Sequence, residues 1–440
     1  MKPKSSTSVG RIRLIDTDLL VNPECIHGPT LLFEDIDNKN KRFYSCSSCR
    51  TRKDCPFYLT AQEWQTIQCK KQLKIKFQRQ LQQTKNEINL KYSYDKNLMK
   101  LSSNGLKFCR NCSLIIGTED VLSDHKTHYI VSDITEQQLK SPTKLMTSLT
   151  DNKFCAQYLF ADQTIKFIVN DIIVKNKFTS VICIGCPTIH EHLTSGRIDN
   201  IKSILLDIDD RYKQFYSPKK FLKFNLFNNY FFNGTRDETT FMRFIEKSTK
   251  ESIVIIVDPP FGGLIEAMAK TLRKFSDIWR KYHSIADENE TLPIMLIFPY
   301  FNEKRITDKI PGLLMSDYLV DYQNHNKFND TNSGRKFGSP VRIFTNISLK
   351  LIELPKADGY YYCDYCCKYV SKNNKHCFQC NDCTARDGKP YKHCNVCKRC
   401  VKNTWNHCKL CSHCHLMQEI CKRKSTDSNF SSLCKRIRDK

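Results

Sequence analysis

The chain has 440 residues, room for two or three domains, with a formal net charge of +24 and an isoelectric point near 9.2. That balance points to a polyanionic partner, nucleic acid before an anionic membrane, since no basic amphipathic helix stands out. The start, Met1 to Ser6, lacks the apolar core of a signal peptide, and runs such as Leu292–Phe298 are too short to span a bilayer. A soluble, intracellular protein is therefore expected, and there 24 cysteines point to metal rather than disulfides.

Residues 1–20 read as a basic tail. Residues 21–60 form a first Cys/His unit: Cys25-Ile26-His27, then Cys46, Cys49 and Cys55. With Gly28-Pro29 and Arg42-Phe43-Tyr44, this unit resembles a GRF-type zinc finger. The resemblance implies Cys25, His27, Cys46 and Cys55 as ligands, with Cys49 spare or able to displace one of them. Four soft ligands without carboxylates favour a closed, tetrahedral Zn²⁺. Such modules commonly bind nucleic acid; a purely structural clip is the competing role. Residues 61–107 are rich in Gln, Lys and Asn, with Leu73, Ile75, Phe77 and Leu81 interspersed, and read as a basic linker that can be helical. Residues 108–130 hold Cys109-x2-Cys112-x12-His125-x2-His128, a two-Cys, two-His pattern with unusually tight His spacing. A packed structural role is expected of it, not sequence-specific duplex reading.

From 131 to 358 helix-length segments alternate with short apolar runs at Val181–Gly185, Ile204–Ile208, Phe224–Phe227, Ile253–Val257 and Ile294–Phe298. That alternation predicts an α/β fold, a mostly parallel sheet with helices on both faces. The runs Tyr318–Tyr322 and Val341–Thr345 are expected to pair as a terminal hairpin.

Residues 359–421 are dense in metal-ligating types. The pattern His-Cys-x2-Cys-x2-Cys occurs at His376-Cys377-Cys380-Cys383, His393-Cys394-Cys397-Cys400 and His407-Cys408-Cys411-Cys414. Such self-similarity implies repeated small units. Because Cys363-x2-Cys366 stands ahead of them, an interlaced reading gives each Cys-x2-Cys pair the His and last Cys of the next unit. The sets are then Cys363, Cys366, His376 and Cys383; Cys377, Cys380, His393 and Cys400; and Cys394, Cys397, His407 and Cys414. Cys408 and Cys411 remain for a fourth site with Cys421 and either His413 or His415. The stretch partly resembles the cysteine-rich domain of palmitoyltransferases, but it lacks their Asp-His-His-Cys and the chain lacks transmembrane helices. Residues 422–440 read as a second basic tail. Cys69, Cys155, Cys183, Cys186, Cys367 and Cys434 fall outside the patterns and read as packing or surface thiols.

The most informative residues are Asp258-Pro259-Pro260-Phe261, at the end of the apolar run Ser252–Val257. Ligands of open α/β sheets bind at that carboxyl edge. The prolines remove two backbone donors and leave carbonyls to face a ligand. Asp258 adds a carboxylate acceptor and Phe261 a ring for stacking. Two acceptors beside a flat apolar face suit the exocyclic amine of a nucleobase. This tetrapeptide resembles the signature of AdoMet-dependent amino-methyltransferases that act on adenine N6. With the order of the zinc modules and the stretch Ala156–Asp162, the chain from about Cys25 to Cys421 resembles the CCHC-domain zinc-finger enzymes that methylate adenine N6 in large-subunit ribosomal RNA.

That resemblance implies a Rossmann-like AdoMet methyltransferase domain flanked by small zinc-binding modules. Asp258, Pro259, Pro260 and Phe261 would form the catalytic set, with N6–H donating to the Asp258 carboxylate and the Pro259 carbonyl. AdoMet and several Zn²⁺ ions would be the cofactors, ribosomal RNA the partner, and nucleolus, nucleus and cytoplasm the location. Gln157, Tyr158, Leu159 and Phe160 would line the AdoMet site. Gly185 ends the first strand where a glycine-rich turn would lie, a single glycine instead of Gly-x-Gly-x-x-Gly. Asp207, about twenty residues on, is the expected ribose acceptor, with Asp209 as its alternative. Asn225, Leu226 and Phe227 would frame the cofactor adenine, and Asp258 would border both ligands. Phe298-Pro299-Tyr300-Phe301 would add aromatic wall, and the loop Asn324–Lys336, with His325, Lys327, Arg335 and Lys336, would face RNA or gate the site. The rivals are DNA adenine methylation, protein glutamine methylation (whose signature has Asn at the place of Asp258), and a non-catalytic RNA-binding zinc protein with a degenerate methyltransferase domain. Intact Asp258, Asp207 and Gly185 speak against the last.

Overall fold

The computed structural model describes residues 12–38, 41–49, 52–89, 94, 106–116, 125–149, 157–196, 198–324 and 339–416. Outside the described residues lie most of both basic tails with Cys421 and Cys434, most of 90–105, Cys155, Ala156, and the candidate loop residues His325, Lys327, Arg335 and Lys336.

At the centre is an eight-stranded sheet of β1 (Ser180–Ile184), β2 (Lys202–Asp207), β3 (Phe221–Asn225), β4 (Tyr230–Phe231), β5 (Ile253–Val257), β6 (Ile294–Pro299), β7 (Leu314–Met315) and β8 (Val341–Thr345). The strands lie in the order 4-3-2-1-5-6-8-7. Pairs among β1, β2, β3, β5 and β6 are parallel, while β4 and the two pairings of β8 are antiparallel. Because side chains alternate along a strand, each strand feeds two cores. Val181, Cys183, Val254 and Ile256 point to one; Ile182, Ile184, Ile253, Ile255 and Val257 point to the other. Burial on both faces is why these strands read as unbroken apolar runs. The first core is closed by the helical stretch 162–174 and by α1 (Pro187–Thr194). The second is closed by α2 (Thr235–Glu246) and α3 (Ile265–Tyr282), where Ile265, Met268, Leu272, Phe275 and Trp279 recur at helical spacing.

Two boundaries differ from the sequence expectation. Strand β3 begins at Phe221, so Leu226 and Phe227 lie beyond its end; Lys223 within it is kept by Asp210, 3.3 Å away, and by the face of Phe232. The expected hairpin of Tyr318–Tyr322 with Val341–Thr345 does not form as such. Leu314–Met315 is the strand that flanks β8 on the side away from β6, and among the described residues Tyr318–Tyr322 makes isolated β-bridges alone, Val320 with Val341 and Tyr322 with Phe160. Asp317 draws this segment out of the ladder toward the carboxyl-terminal Cys/His array.

That docking is specific. Asp317 accepts hydrogen bonds from the Ser371 N–H (2.6 Å) and the Asn374 side chain (3.1 Å), and the buried Arg342 guanidinium lies against the same aspartate. The Tyr360 hydroxyl accepts from the Leu319 N–H at 3.0 Å. The two-Cys, two-His unit is also built in, because its Phe108 is fully buried in the first core against Phe215. The amino-terminal unit has its own four-stranded sheet, Ile12–Ile15, Leu31–Asp35, Arg42–Ser45 and Tyr58–Thr60, and runs into helices Ala61–Cys69 and Lys71–Asn89. The first of these starts at a capping box between Thr60 and Glu63. Among the described residues no helix is long and apolar enough to cross a membrane. Truncating Asp317 leaves Arg342 buried without its carboxylate, so Asp317→Ala is expected to lower stability by about 3–5 kcal/mol in equilibrium urea unfolding; a change under about 1 kcal/mol would show the ion pair to be dispensable.

Candidate active site and metal centres

The strand order switches at β1, with β2 and β3 laid down on one side of it and β5 and β6 on the other, all parallel, and a crevice opens at the carboxyl ends there. The register sets Ile184 beside Val257, so Gly185 and Asp258 leave the sheet side by side. Gly185 donates to the Leu206 carbonyl (3.0 Å) and Asp258 donates to the Ile184 carbonyl (3.0 Å). Gly185 adopts φ +65°, and a Cβ there would stand 2.7 Å from the Asp258 carbonyl oxygen. One glycine thus does what the turn requires, without the longer motif.

Around this corner lies a cavity of about 390 Å³ lined by Gly185, Asp207, Asn225, Leu226, Phe227, Asp258, Pro259 and Pro260, with Gln157, Tyr158 and Leu159 opposite. The Pro260 carbonyl accepts from the Gly263 N–H at 2.7 Å, closing the turn. Phe261 stacks on Tyr158 with ring centroids 5.5 Å apart. Phe160 is placed differently: it is 1% exposed and lies in the core, stacked on Tyr322 at 5.2 Å. Phe298 is likewise in the core and Phe301 is exposed, so neither supplies the expected wall. Aromatic lining comes instead from Tyr158, Phe224, Phe227 and Phe232.

Tyr322 was not singled out by sequence reasoning. Its hydroxyl donates to one Asp258 carboxylate oxygen at 2.9 Å. Burial pushes the Asp258 carboxyl well above the usual carboxylate range, and this hydrogen bond opposes the shift. The segment bearing Tyr322 is zipped to the Gln157–Ala161 segment through Ala161 N–H to Asp321 O (3.0 Å), Gln323 N–H to Leu159 O (2.8 Å) and Asn324 to Gln157 O (2.7 Å).

The two acids after β2 are differently employed. Asp209 is gripped by the Arg211 guanidinium (2.7 Å) and by the Gln157 amide (2.7 Å). Arg211 also donates to Gln157 (3.0 Å) and to the Thr147 carbonyl (2.9 Å). Among the described residues Asp207 accepts from backbone, from the Asp209 N–H at 2.9 Å and from Ile208. Burial and the neighbouring Asp209 raise its pKa to about 7. Gln214 fixes the same turn to the second Cys/His unit, donating to Ser113 O (2.7 Å) and accepting from the Ile115 N–H (2.9 Å).

Among the described residues at least five Cys/His quartets assemble, with ligand atoms in each within 4.8 Å of one another: Cys25, His27, Cys46, Cys55; Cys109, Cys112, His125, His128; Cys363, Cys366, His376, Cys383; Cys377, Cys380, His393, Cys400; and Cys394, Cys397, His407, Cys414. Two to three thiols and one or two imidazoles at that spacing suit tetrahedral Zn²⁺. Cys49 stands beside the first quartet, 3.8 Å from a His27 ring nitrogen. Cys408 faces Cys411 and His415, and its pKa is drawn down to about 6 by the Cys411 backbone and by His415. The His413 ring turns instead to the Cys411 carbonyl. After the second Cys of five Cys-x2-Cys pairs, those of the second unit and of the carboxyl-terminal array, a non-glycine residue sits at positive φ: Ser113 (55°), Cys367 (49°), Asn381 (50°), Lys398 (51°) and Ser412 (53°). Left-handed backbone is costly for such residues, and a ligand set closed on a metal would help to hold these turns. Native mass spectrometry of the full chain is expected to show at least five zinc ions; a saturated count below five would break up one of these quartets.

Comparison with known proteins follows the same outline. Residues 151–346 match the family model described as probable N6-adenine methyltransferase. The chain is 39% identical over 381 residues to the Homo sapiens protein named rRNA N(6)-adenosine-methyltransferase ZCCHC4, covering 82% of this chain and 71% of that one. The Mus musculus and Xenopus laevis proteins of that name are each 38% identical, over 81% and 80% of this chain and 70% and 72% of theirs. With relatives this similar along most of both chains, the protein belongs to the ZCCHC4 family of zinc-containing, AdoMet-dependent N6-adenosine methyltransferases.

Proposed function

We propose that this chain methylates N6 of an unpaired or flipped adenosine in large-subunit ribosomal RNA, with AdoMet as methyl donor. What carries the reading is the corner where Asp258 and the prolines meet a cavity walled by Gly185 and Asp207. AdoMet supplies an electrophilic methyl group. The residues fit it: Asp207 would accept from the ribose hydroxyls, since Asp209 is committed to Arg211 and Gln157. Leu226 and Phe227 would bound its adenine, and Gly185 lets the chain pass close to its amino-acid moiety.

Adenine N6 is a poor nucleophile because its lone pair is delocalised into the ring. Tyr322 occupies one Asp258 oxygen, leaving the other to accept from N6–H, with the Pro259 carbonyl as second acceptor. An arriving amine is a donor and favours the ionised carboxylate against the desolvation that raises its pKa. Holding the two N–H groups turns the nitrogen lone pair toward the donor site, so acceleration comes from positioning and preorganised acceptors. The stacked Phe261 and Tyr158 would flank the target base.

Outside the corner, the carboxyl-terminal array offers RNA a strip of exposed apolar side chains, one per Cys-x2-Cys turn: Tyr365, Phe378, Val396 and Leu410. Lysines and arginines such as Lys392, Lys398, Arg399 and Lys409 lie between them, the mixture that single-stranded RNA prefers. Ribosomal RNA as substrate is supported by the name that the relatives share. That substrate would place the protein in the nucleolus and nucleus, and in the cytoplasm.

Incubation with labelled AdoMet and total RNA, genomic DNA or histones, then nucleoside analysis, should return label as N6-methyladenosine from ribosomal RNA; label only in DNA or protein would refute the assignment. Asp258→Ala should lower methyl transfer at least ~10²-fold while zinc content stays at the wild-type value, and near-normal turnover would remove Asp258 from the chemistry. For Asp207 the sign is set by its raised pKa: below about 7 it is protonated and a weaker acceptor for ribose. AdoMet should bind roughly tenfold more tightly at pH 8 than at pH 6, and Asp207→Asn should flatten that profile; a pH-independent affinity in the wild type would rule out this role.

A further inference from the structure

The sheet supplies only part of the wall of the AdoMet cavity. Ile26, His27, Ser48 and Cys49 of the first zinc unit line it as well, facing the loop that follows β3. That loop is fastened to the zinc unit. The Asn228 side chain donates to the carbonyls of His27 (3.1 Å) and Pro29 (2.7 Å). The Asn225 side chain donates to the His27 carbonyl (2.8 Å) and the Ser47 hydroxyl (2.8 Å). Between His27 and Pro29, Gly28 adopts φ +90°, and a Cβ there would stand 2.5 Å from the Tyr230 ring. Leu31, four residues beyond His27, packs into the second core with Ile184, Leu206, Leu226 and Phe227. His27 therefore faces two ways: its ring joins the quartet, 3.4 Å from the Cys46 sulfur, and its carbonyl holds both asparagines.

We propose that the first zinc unit is an integral part of the AdoMet site, so that metal in the Cys25, His27, Cys46, Cys55 quartet sets the affinity for the cofactor. This inference rests on the AdoMet reading given above. Ligand geometry fixes the Cys25–Pro29 turn; without the ion, nothing comparable holds three thiols and an imidazole together, and the turn relaxes. The His27 carbonyl then leaves Asn225 and Asn228, and the loop carrying Leu226 and Phe227 loses its outer support. Asn228 is buried and is not among the residues that line the cavity, so it tests the fastening without touching the ligand.

The experiment uses the full chain, calorimetric titration with AdoMet, and zinc content by elemental analysis. Asn228→Ala should keep the wild-type zinc content and bind AdoMet at least tenfold more weakly. Cys55→Ser should lose one zinc ion and bind AdoMet at least a hundredfold more weakly, whereas Cys394→Ser, in the remote array, should lose one ion and keep the wild-type affinity within twofold. Wild-type affinity in Asn228→Ala, or in a folded Cys55→Ser protein lacking its ion, would overturn the inference, as would equal weakening by Cys394→Ser. Failure of the wild type itself to bind AdoMet would overturn the underlying cofactor reading, and this inference with it.

Discussion

Everything at the candidate site depends on how closely two strand ends approach one another. Parallel register brings Ile184 and Val257 together, and the next residue on each strand must share the same few ångströms. Only a residue without a Cβ fits opposite the Asp258 carbonyl, and Gly185 takes the left-handed backbone that turns the chain away. The Asp258 side chain is thereby presented at the edge of the cavity, where burial would favour its neutral form. Tyr322, itself buried among aromatic rings, counters that tendency with one hydrogen bond. The acid is thus held by backbone on one side and by a phenol on the other, a degree of fixation that suits a group meant to orient a weak nucleophile.

The zinc units are better described as parts of the central domain than as appendages. Phe108 of the second unit sits in the first core, and Leu31 of the first unit sits in the other. The second unit holds the turn after β2 through Gln214, while the first holds the turn after β3 through two asparagines. Both turns border the cavity. The carboxyl-terminal array makes its attachment elsewhere, to the Asp317 segment, and leaves its apolar turn residues open to solvent.

Much of this was legible in the residues. Apolar runs with flanking turns located β1, β2, β5, β6 and β8, because strands buried on both faces leave no polar alternation to confuse the reading. Cys-x2-Cys spacing likewise grouped the ligands that the fold brings together. What could not be read was tertiary. Tyr322 looks like any strand tyrosine, and its partner Asp258 is 64 residues away. Asn225 lines the cavity, but its amide nitrogen also meets the zinc unit, a contact across 198 residues of chain that local sequence does not reveal. Phe160 is grouped with cavity residues by its neighbours, yet its ring packs inward on Tyr322 while Tyr158 and Leu159 line the cavity. The hairpin was misplaced because Asp317 answers to Ser371 and Asn374, which local pattern does not reveal. A faint signal did exist in the asparagine-rich turn Asn225–Asn229, since unpaired amides beside a buried strand must find partners.

The interlacing of the carboxyl-terminal ligands has a consequence for how that region behaves. Each ion ties a Cys-x2-Cys turn to the hairpin that follows it, so every internal hairpin answers to two ions. Such an arrangement is a one-dimensional chain of coupled links, in which energy passes only between nearest neighbours. Stripping an end link frays one unit, whereas stripping a middle link severs the ribbon and sets everything downstream adrift. The array therefore has a polarity of robustness, firmest where it meets Asp317 and most easily unravelled from its distal tip.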